Sequence, residues 1–175
     1  MGPSIARNVQ VQERLALGDR RLYLVTAALV AGNVLLPFAF HQVPQGGRMF
    51  LPIFFFTLIA GWRFGVSAGM LTALLSPLAA HALSGSPASA ALPSIILQSG
   101  LLGLLAAFAA ALGRRTSLTF LALVVAAHQS LVLLPVLAAS GPEAAAAALW
   151  LRLPGLLLQV LGGFLVLRLL ERTRS

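Results

Sequence analysis

Five uncharged polar side chains, Asn33, Gln98, His128, Gln129 and Gln159, interrupt long apolar stretches, and two arginines, Arg48 and Arg152, stand at the edges of such stretches. A polar group in hydrocarbon is costly unless partnered, so each raises a functional question. Arg152 and Gln159 are seven residues apart and share one helix face. Guanidinium and imidazole groups with no carboxylate among them favour a ligand bearing a carboxylate or phosphate over a cation. Each residue also has a plainer reading. Asn and Gln serve as interhelical hydrogen-bond glue, a lone membrane His is commonly a helix contact, and Arg152 can snorkel to an interface. His81, near the end of an apolar run, is a weaker candidate of the same kind. Arg63, Arg114 and Arg115 read as interfacial anchors.

Other chemistry finds little support. There is no His-Glu-x-x-His, no P-loop and no pair of membrane carboxylates. The four acidic residues all lie at or beyond the ends of apolar runs. Without cysteine, disulfides, thiolate chemistry and Cys-ligated metals are excluded. Three scattered histidines without nearby acids make a weak metal site. No cofactor is expected. Gly85-Ser-Pro and Ser140-Gly-Pro are ordinary turn sequences, which argues against a serine–histidine dyad.

The elements that must hold these residues are membrane helices. Of 175 residues, 59% are hydrophobic and 9% charged, whereas about a quarter of a soluble domain is charged. The mean hydropathy is +0.94. Six apolar runs are legible: 22–40, 49–60, 66–83, 92–112, 118–139 and 150–170. The second is short and Phe-rich, and the count rests most heavily on it. The third contains Pro77, tolerated inside a membrane helix. Gly61-Trp-Arg-Phe-Gly65 reads as a tight turn, and Glu143 to Leu149 as a loop helix or an extension of the last span. The expected fold is therefore all-α, an integral membrane bundle of six transmembrane helices over 22–170, with an N-terminal tail over 1–21 and a C-terminal tail over 171–175.

All twelve basic residues are arginine and the formal charge is +8. In a soluble chain this would suggest nucleic acid; here the arginines sit mostly between apolar runs, and topology accounts for them better. Six spans put ten arginines on the side of both termini and only Arg48 and Arg152 on the other. Arg is retained in the cytoplasm, so both termini are expected there and the polar candidates in the middle or outer half.

Small residues form a second pattern. Ala27, Ala28, Ala31 and Gly32 give overlapping small-xxx-small pairs on the first run, a strip that lets another helix approach closely. With the stretch from Pro52 through Gly65 to Pro77, the loop containing Gly85 and Pro87, Leu92-Pro93, Leu153 to Gln159, and Gly162-Gly163, the chain resembles a substrate-binding S component of an energy-coupling factor (ECF) transporter. The resemblance covers most of the chain in size and layout. It implies capture of a vitamin or related micronutrient from outside, in a bacterial cytoplasmic (inner) membrane. It further implies docking through Ala27 and Ala31 onto a transmembrane coupling subunit, with two ATPase subunits completing the complex. The outer loop from His41 to Arg48 would act as a lid, and the chain would not itself be an enzyme. The alternatives are a stand-alone small transporter or channel, an intramembrane hydrolase, and an assembly partner with no small ligand.

Overall fold

The computed structural model describes residues 12–40, 52–112 and 116–172. The expected ligand residue Arg48, the rest of the lid from His41, and the anchors Arg114 and Arg115 lie outside the described residues. All regular structure among the described residues is helical. Helix α1 is Arg20–Phe40, a short 3-10 turn at Pro52–Phe54 leads into α2 (Phe55–Ser84), and α3 is Leu92–Leu112. Helix α4 (Leu118–Leu157) continues through a π-helical turn, Leu158–Gly162, into α5 (Gly163–Arg172). Leu- and Ala-rich sequence without internal polar backbone partners favours this outcome, because an α-helix satisfies its own amides and carbonyls where water is absent.

Two of these elements are folded back on themselves. In α2, Gly65 has φ 87° and ψ −173°, a conformation essentially restricted to glycine. The Asn33 amide reaches both Thr57, at 3.2 Å, and Ser76, at 2.9 Å. In a straight helix those two residues would be about 28 Å apart. Arms α2a (55–64) and α2b (66–84) therefore form a helical hairpin. Helix α4 turns the same way at Gly141, with φ 80° and ψ 177°, just before Pro142. A methyl group on Gly163 would lie 3.5 Å from Leu121, two positions about 63 Å apart along one straight helix. Arms α4a (118–140) and α4b (142–157) are thus antiparallel, with α5 extending α4b.

Among the described residues the six expected runs do not form six separate full-length helices. Three elements, Phe55–Ser84, Leu92–Leu112 and Leu118–Arg172, are long and apolar enough to cross a membrane. Runs two and three belong to one folded element, and runs five and six to another. Arm α2a reaches only about 15 Å, half of a hydrocarbon core. The Ala-rich stretch 143–149 is helical and extends the last run.

The hairpin turn at Gly65 closes against two other backbones. A Cβ on Gly61 would run into the carbonyl oxygen of Gly103, one on Gly69 would lie 3.0 Å from the Gly61 Cα, and one on Gly103 would lie 3.0 Å from the Gly69 oxygen. Arms α2a and α2b and helix α3 therefore meet backbone to backbone, which side chains at these positions would prevent.

The segment before α1 completes this end of the bundle. Gly65 interrupts the helical ladder and orphans the last carbonyls of α2a. Gln12 donates through Nε2 to the Gly61 oxygen at 3.1 Å and to the Ala107 oxygen at 3.0 Å. The Glu13 amide donates to Arg63 O at 2.7 Å and the Leu15 amide to Phe64 O at 3.2 Å. Residues 12–15 thus form a strap over the turn. Arg63, expected as an interfacial anchor, is buried at this turn. Beside it Trp62 donates through Nε1 to Thr116 Oγ1 at 3.1 Å, and Thr116 donates to Glu171. The strap, the Gly65 turn and the end of α5 therefore share one end of the bundle, called the basal end; Gly141 marks the opposite, distal end.

The main core lies between α2a, α3, α4a and α5, built from Phe54, Phe55, Leu58, Ile59, Trp62, Leu102, Leu121 and Leu167 with their neighbours. Large apolar side chains such as Leu24, Leu35, Leu97, Phe108, Leu123 and Leu165 point outward instead. An apolar exterior of this extent suits a lipid environment and not water.

Candidate functional site

Two buried polar groups occupy the interior, and they differ in how completely they are satisfied. The first centres on Asn33 of α1. Its Nδ2 donates to Thr57 and Ser76, and its Oδ1 accepts from the Phe56 amide at 3.0 Å. Thr57 Oγ1 lies 3.2 Å from Ser99 Oγ of α3. All four side chains are fully buried. One asparagine thereby ties α1 to both arms of α2, and through Thr57 to α3. Both ends of its amide are engaged inside the protein, the pattern of interhelical hydrogen-bond glue. Sequence reasoning missed Thr57, Ser76 and Ser99, since hydroxyl residues are frequent in membrane helices and carry no distinctive spacing.

The second set lies on α4a, α4b and the π-helical turn and is not saturated. His128 and Gln129 are on α4a, Gln159 is in the π-helical turn, and Arg152 is on α4b. His128, Gln129 and Gln159 are 2%, 4% and 1% exposed. His128 Nε2 lies 3.0 Å from the backbone oxygen of Gln98. A carbonyl only accepts, so Nε2 carries the proton, and in the neutral ring Nδ1 is left as an acceptor. His128 Nδ1, Gln129 Nε2 and Gln159 Oε1 are buried and have no hydrogen-bond partner among the described residues. Buried polar atoms are usually paired; the hydroxyls of Thr26 and Thr72 are likewise buried without a hydrogen-bond partner among the described residues.

The local backbone explains how Gln159 comes to face inward. Pro154 contributes no amide donor, and the ladder beyond it opens into the π turn at Leu158–Gly162. Single π turns within α-helices are frequent at functional sites. Gly155, Gln159, Gly163 and Leu167 are the buried residues on this stretch, at a four-residue spacing. Phe54, from the 3-10 turn, presents its ring edgewise to His128 at 5.9 Å, and the Phe55 ring lies beside Gly162. These two aromatics were not anticipated as site residues. Arg152 is half-buried and within electrostatic range of the His128 ring.

The chain matches no protein-family model, no curated protein and no solved structure.

The remaining expected residues fall as follows. Gln98 is half-buried and meets His128 through its backbone rather than its side chain. Ala27 and Ala31 are both exposed and share an outward face of α1 with Leu24, Ala28 and Leu35. Gly32 points the other way, against the Phe56 ring. His81 sits beside the loop after α2, its Nδ1 at 2.8 Å from the Pro87 oxygen and its Nε2 at 3.5 Å from Ser89 Oγ. A carbonyl, not a carboxylate, orients this ring, and the Ser contact is at the limit of hydrogen bonding. No group of three or more His, Cys, Asp or Glu capable of holding a metal occurs among the described residues.

Proposed function

We propose that this protein is a membrane-embedded capture subunit for a small polar molecule, of the kind represented by the S components of ECF-type importers. The observation that carries the reading is the trio of buried polar atoms on His128, Gln129 and Gln159 that have no hydrogen-bond partner among the described residues. Such atoms destabilise an empty bundle by about 1–3 kcal/mol each, a cost that a ligand able to pair with them removes. Arg152 and Gln129 would supply donors, His128 Nδ1 and Gln159 Oε1 acceptors, and Phe54 an aromatic wall. Arg48 remains a further donor in this proposal, contributed from outside the described residues. Asn33 and the side chain of Gln98 are not part of the binding set in this reading.

In the same proposal the arms α2b, α4a and α4b, with α1 and α3, each pass through the bilayer, while α2a with the Pro52–Phe54 turn makes a shorter sixth passage. Both termini are then cytoplasmic and the distal end faces outward, which places most arginines inside. The outward strip of Ala27 and Ala31 would receive a helix of a coupling subunit, itself driven by two ATPases. Small exposed residues on one helix face suit such close approach.

The test is mass spectrometry of small molecules released from protein purified in mild detergent, followed by uptake assays in proteoliposomes. A stoichiometric, competable small molecule and no uptake by the chain alone are expected. Uptake without a coupling subunit or ATP would instead identify a stand-alone transporter. Release of no small molecule, together with no ligand-dependent rise in unfolding temperature, would sink the capture reading.

A further inference from the structure

We infer that the basal end of the bundle binds the headgroups of anionic phospholipids, through exposed arginines that terminate two outward apolar faces: Arg20 and Arg21 on α1, and Arg168 on α5. The inference needs the bundle to lie in a bilayer and does not depend on the capture reading. The same pattern occurs on both elements. On α1 the exposed residues Leu24, Ala27, Ala28, Ala31 and Leu35 share one outward face. Arg20, also exposed, stands one turn before Leu24. This start of α1 is basal, because Leu22 packs in one buried cluster with Leu15 of the strap and with Ala60 and Ala68 on either side of the Gly65 turn. Along α4b and α5 the exposed side chains of Leu157, Leu161, Leu165 and Leu169 recur every fourth residue, and Arg168 is exposed beside the last of them. An apolar face that turns cationic in its basal turn suits a lipid whose chain lies along the helix and whose phosphate meets the guanidinium.

The arginines are available for such a contact. The Arg20 side chain makes no hydrogen bond or ion pair among the described residues. The Arg21 side chain is 74% exposed, and its ion pair with Glu13 is long, at 3.7 Å. Arg168 is 48% exposed and holds Glu171 at 3.4 Å, which leaves donors of its five-N–H fork for a phosphate. The amide end of α1 is already occupied, since the Arg21 amide donates to Asp19 Oδ1 at 2.8 Å, so the attraction resides in the side chains. Tyr23 stands exposed next to them with its hydroxyl donating to the Leu17 oxygen at 2.7 Å, an amphipathic ring of the kind found at headgroup level. Beside the distal turn at Gly141 the charged side chain is Glu143, which would repel the same lipid. Charge therefore selects the anionic headgroup, and selects it at the basal end. Each arginine near an anionic surface strengthens association roughly fivefold.

The experiment places the full chain in phosphatidylcholine vesicles with a trace of spin-labelled phosphatidylglycerol or spin-labelled phosphatidylcholine. Electron paramagnetic resonance reads the fraction of label immobilised on the protein. Phosphatidylglycerol is expected to associate at least about fivefold more strongly, and the preference to shrink at about 0.5 M sodium chloride. Arg20→Gln combined with Arg21→Gln is expected to remove most of the preference, and Arg20→Lys combined with Arg21→Lys to keep it. Should the glutamine pair fail to fold, the salt dependence of the parent decides. Equal association of the two lipids, a preference that salt does not weaken, or one that survives the glutamine pair would overturn the inference. So would loss of the preference in sodium phosphate but not in sodium chloride of equal ionic strength, which would assign the arginines to free phosphate.

Discussion

Asn33 and Ser76 are joined amide to hydroxyl at 2.9 Å across forty-three residues of chain. The same amide holds Thr57 and the Phe56 backbone, so its removal takes a hydrogen bond from each of three polar groups in a dry interior. Asn33→Leu is expected to lower stability by about 2–3 kcal/mol, read by thermal or denaturant unfolding in detergent. Ligand affinity, measured well below the unfolding transition, should be unchanged. A loss of affinity in a protein that unfolds like the parent would move Asn33 into the binding set.

The backbone meeting of Gly61, Gly69 and Gly103 makes an equally definite demand. Gly61→Ala puts a methyl group into the Gly103 carbonyl, and the helices must separate. A loss of about 1–3 kcal/mol is expected. Gly18→Ala, with nothing within 4 Å, is the matched control and should unfold like the parent. Similar behaviour of the two variants would show that the three backbones do not approach as described.

Gln12 spans the ends of two helices through two carbonyls. Gln12→Ala should cost about 1 kcal/mol and speed hydrogen exchange at the last turn of α2a and near Ala107, leaving the distal half unaffected. Uniform exchange across the bundle would contradict a local capping role.

Ala31 faces outward, so Ala31→Trp should leave the unfolding temperature within the small range typical of surface changes, about 0.5 kcal/mol. Under the proposed function it should abolish co-purification with a coupling subunit while ligand release persists. A strongly destabilised variant would mean that Ala31 is packed inside the bundle.

Arg152 offers the site's charged donor. Arg152→Gln is expected to weaken binding of a carboxylate-bearing probe by roughly tenfold to a hundredfold, the range for a charged hydrogen bond of about 1.5–3 kcal/mol, and to leave binding of an uncharged probe unaltered. Equal losses for both would assign Arg152 a structural role.

Some of this architecture was legible in the residues. Gly61 to Gly65 and Ser140-Gly-Pro142 were read as turns, and the folds at Gly65 and Gly141 occur where those signals stand. The apolar run at 92–112 coincides with α3 because nothing inside it breaks the ladder. Residues 49–60 misled the span count, since hydrophobicity does not report how far an arm reaches when its neighbour turns back at once. His128, Gln129 and Gln159 stood out because an apolar background makes any amide conspicuous. The same contrast singled out Asn33, and the sequence could not separate a saturated amide from an unsaturated one; that depends on Thr57, Ser76 and Ser99, brought to it by packing. The strap was hidden for a different reason. Gln12 looks like any polar tail residue until the ladder it completes is interrupted fifty residues later. The π turn has no compositional signature beyond Pro154.

The strap and the Trp62 contact impose an order on biogenesis. Residues 12–15 are synthesised before the carbonyls they cover, and because Gln12 also reaches the Ala107 oxygen the strap has all its partners only once α3 has been made. Trp62 must wait for Thr116, and Thr116 for Glu171, at the far end of translation. A chain ending after α3 would hold every partner of the strap but would leave the Trp62 indole N–H without Thr116.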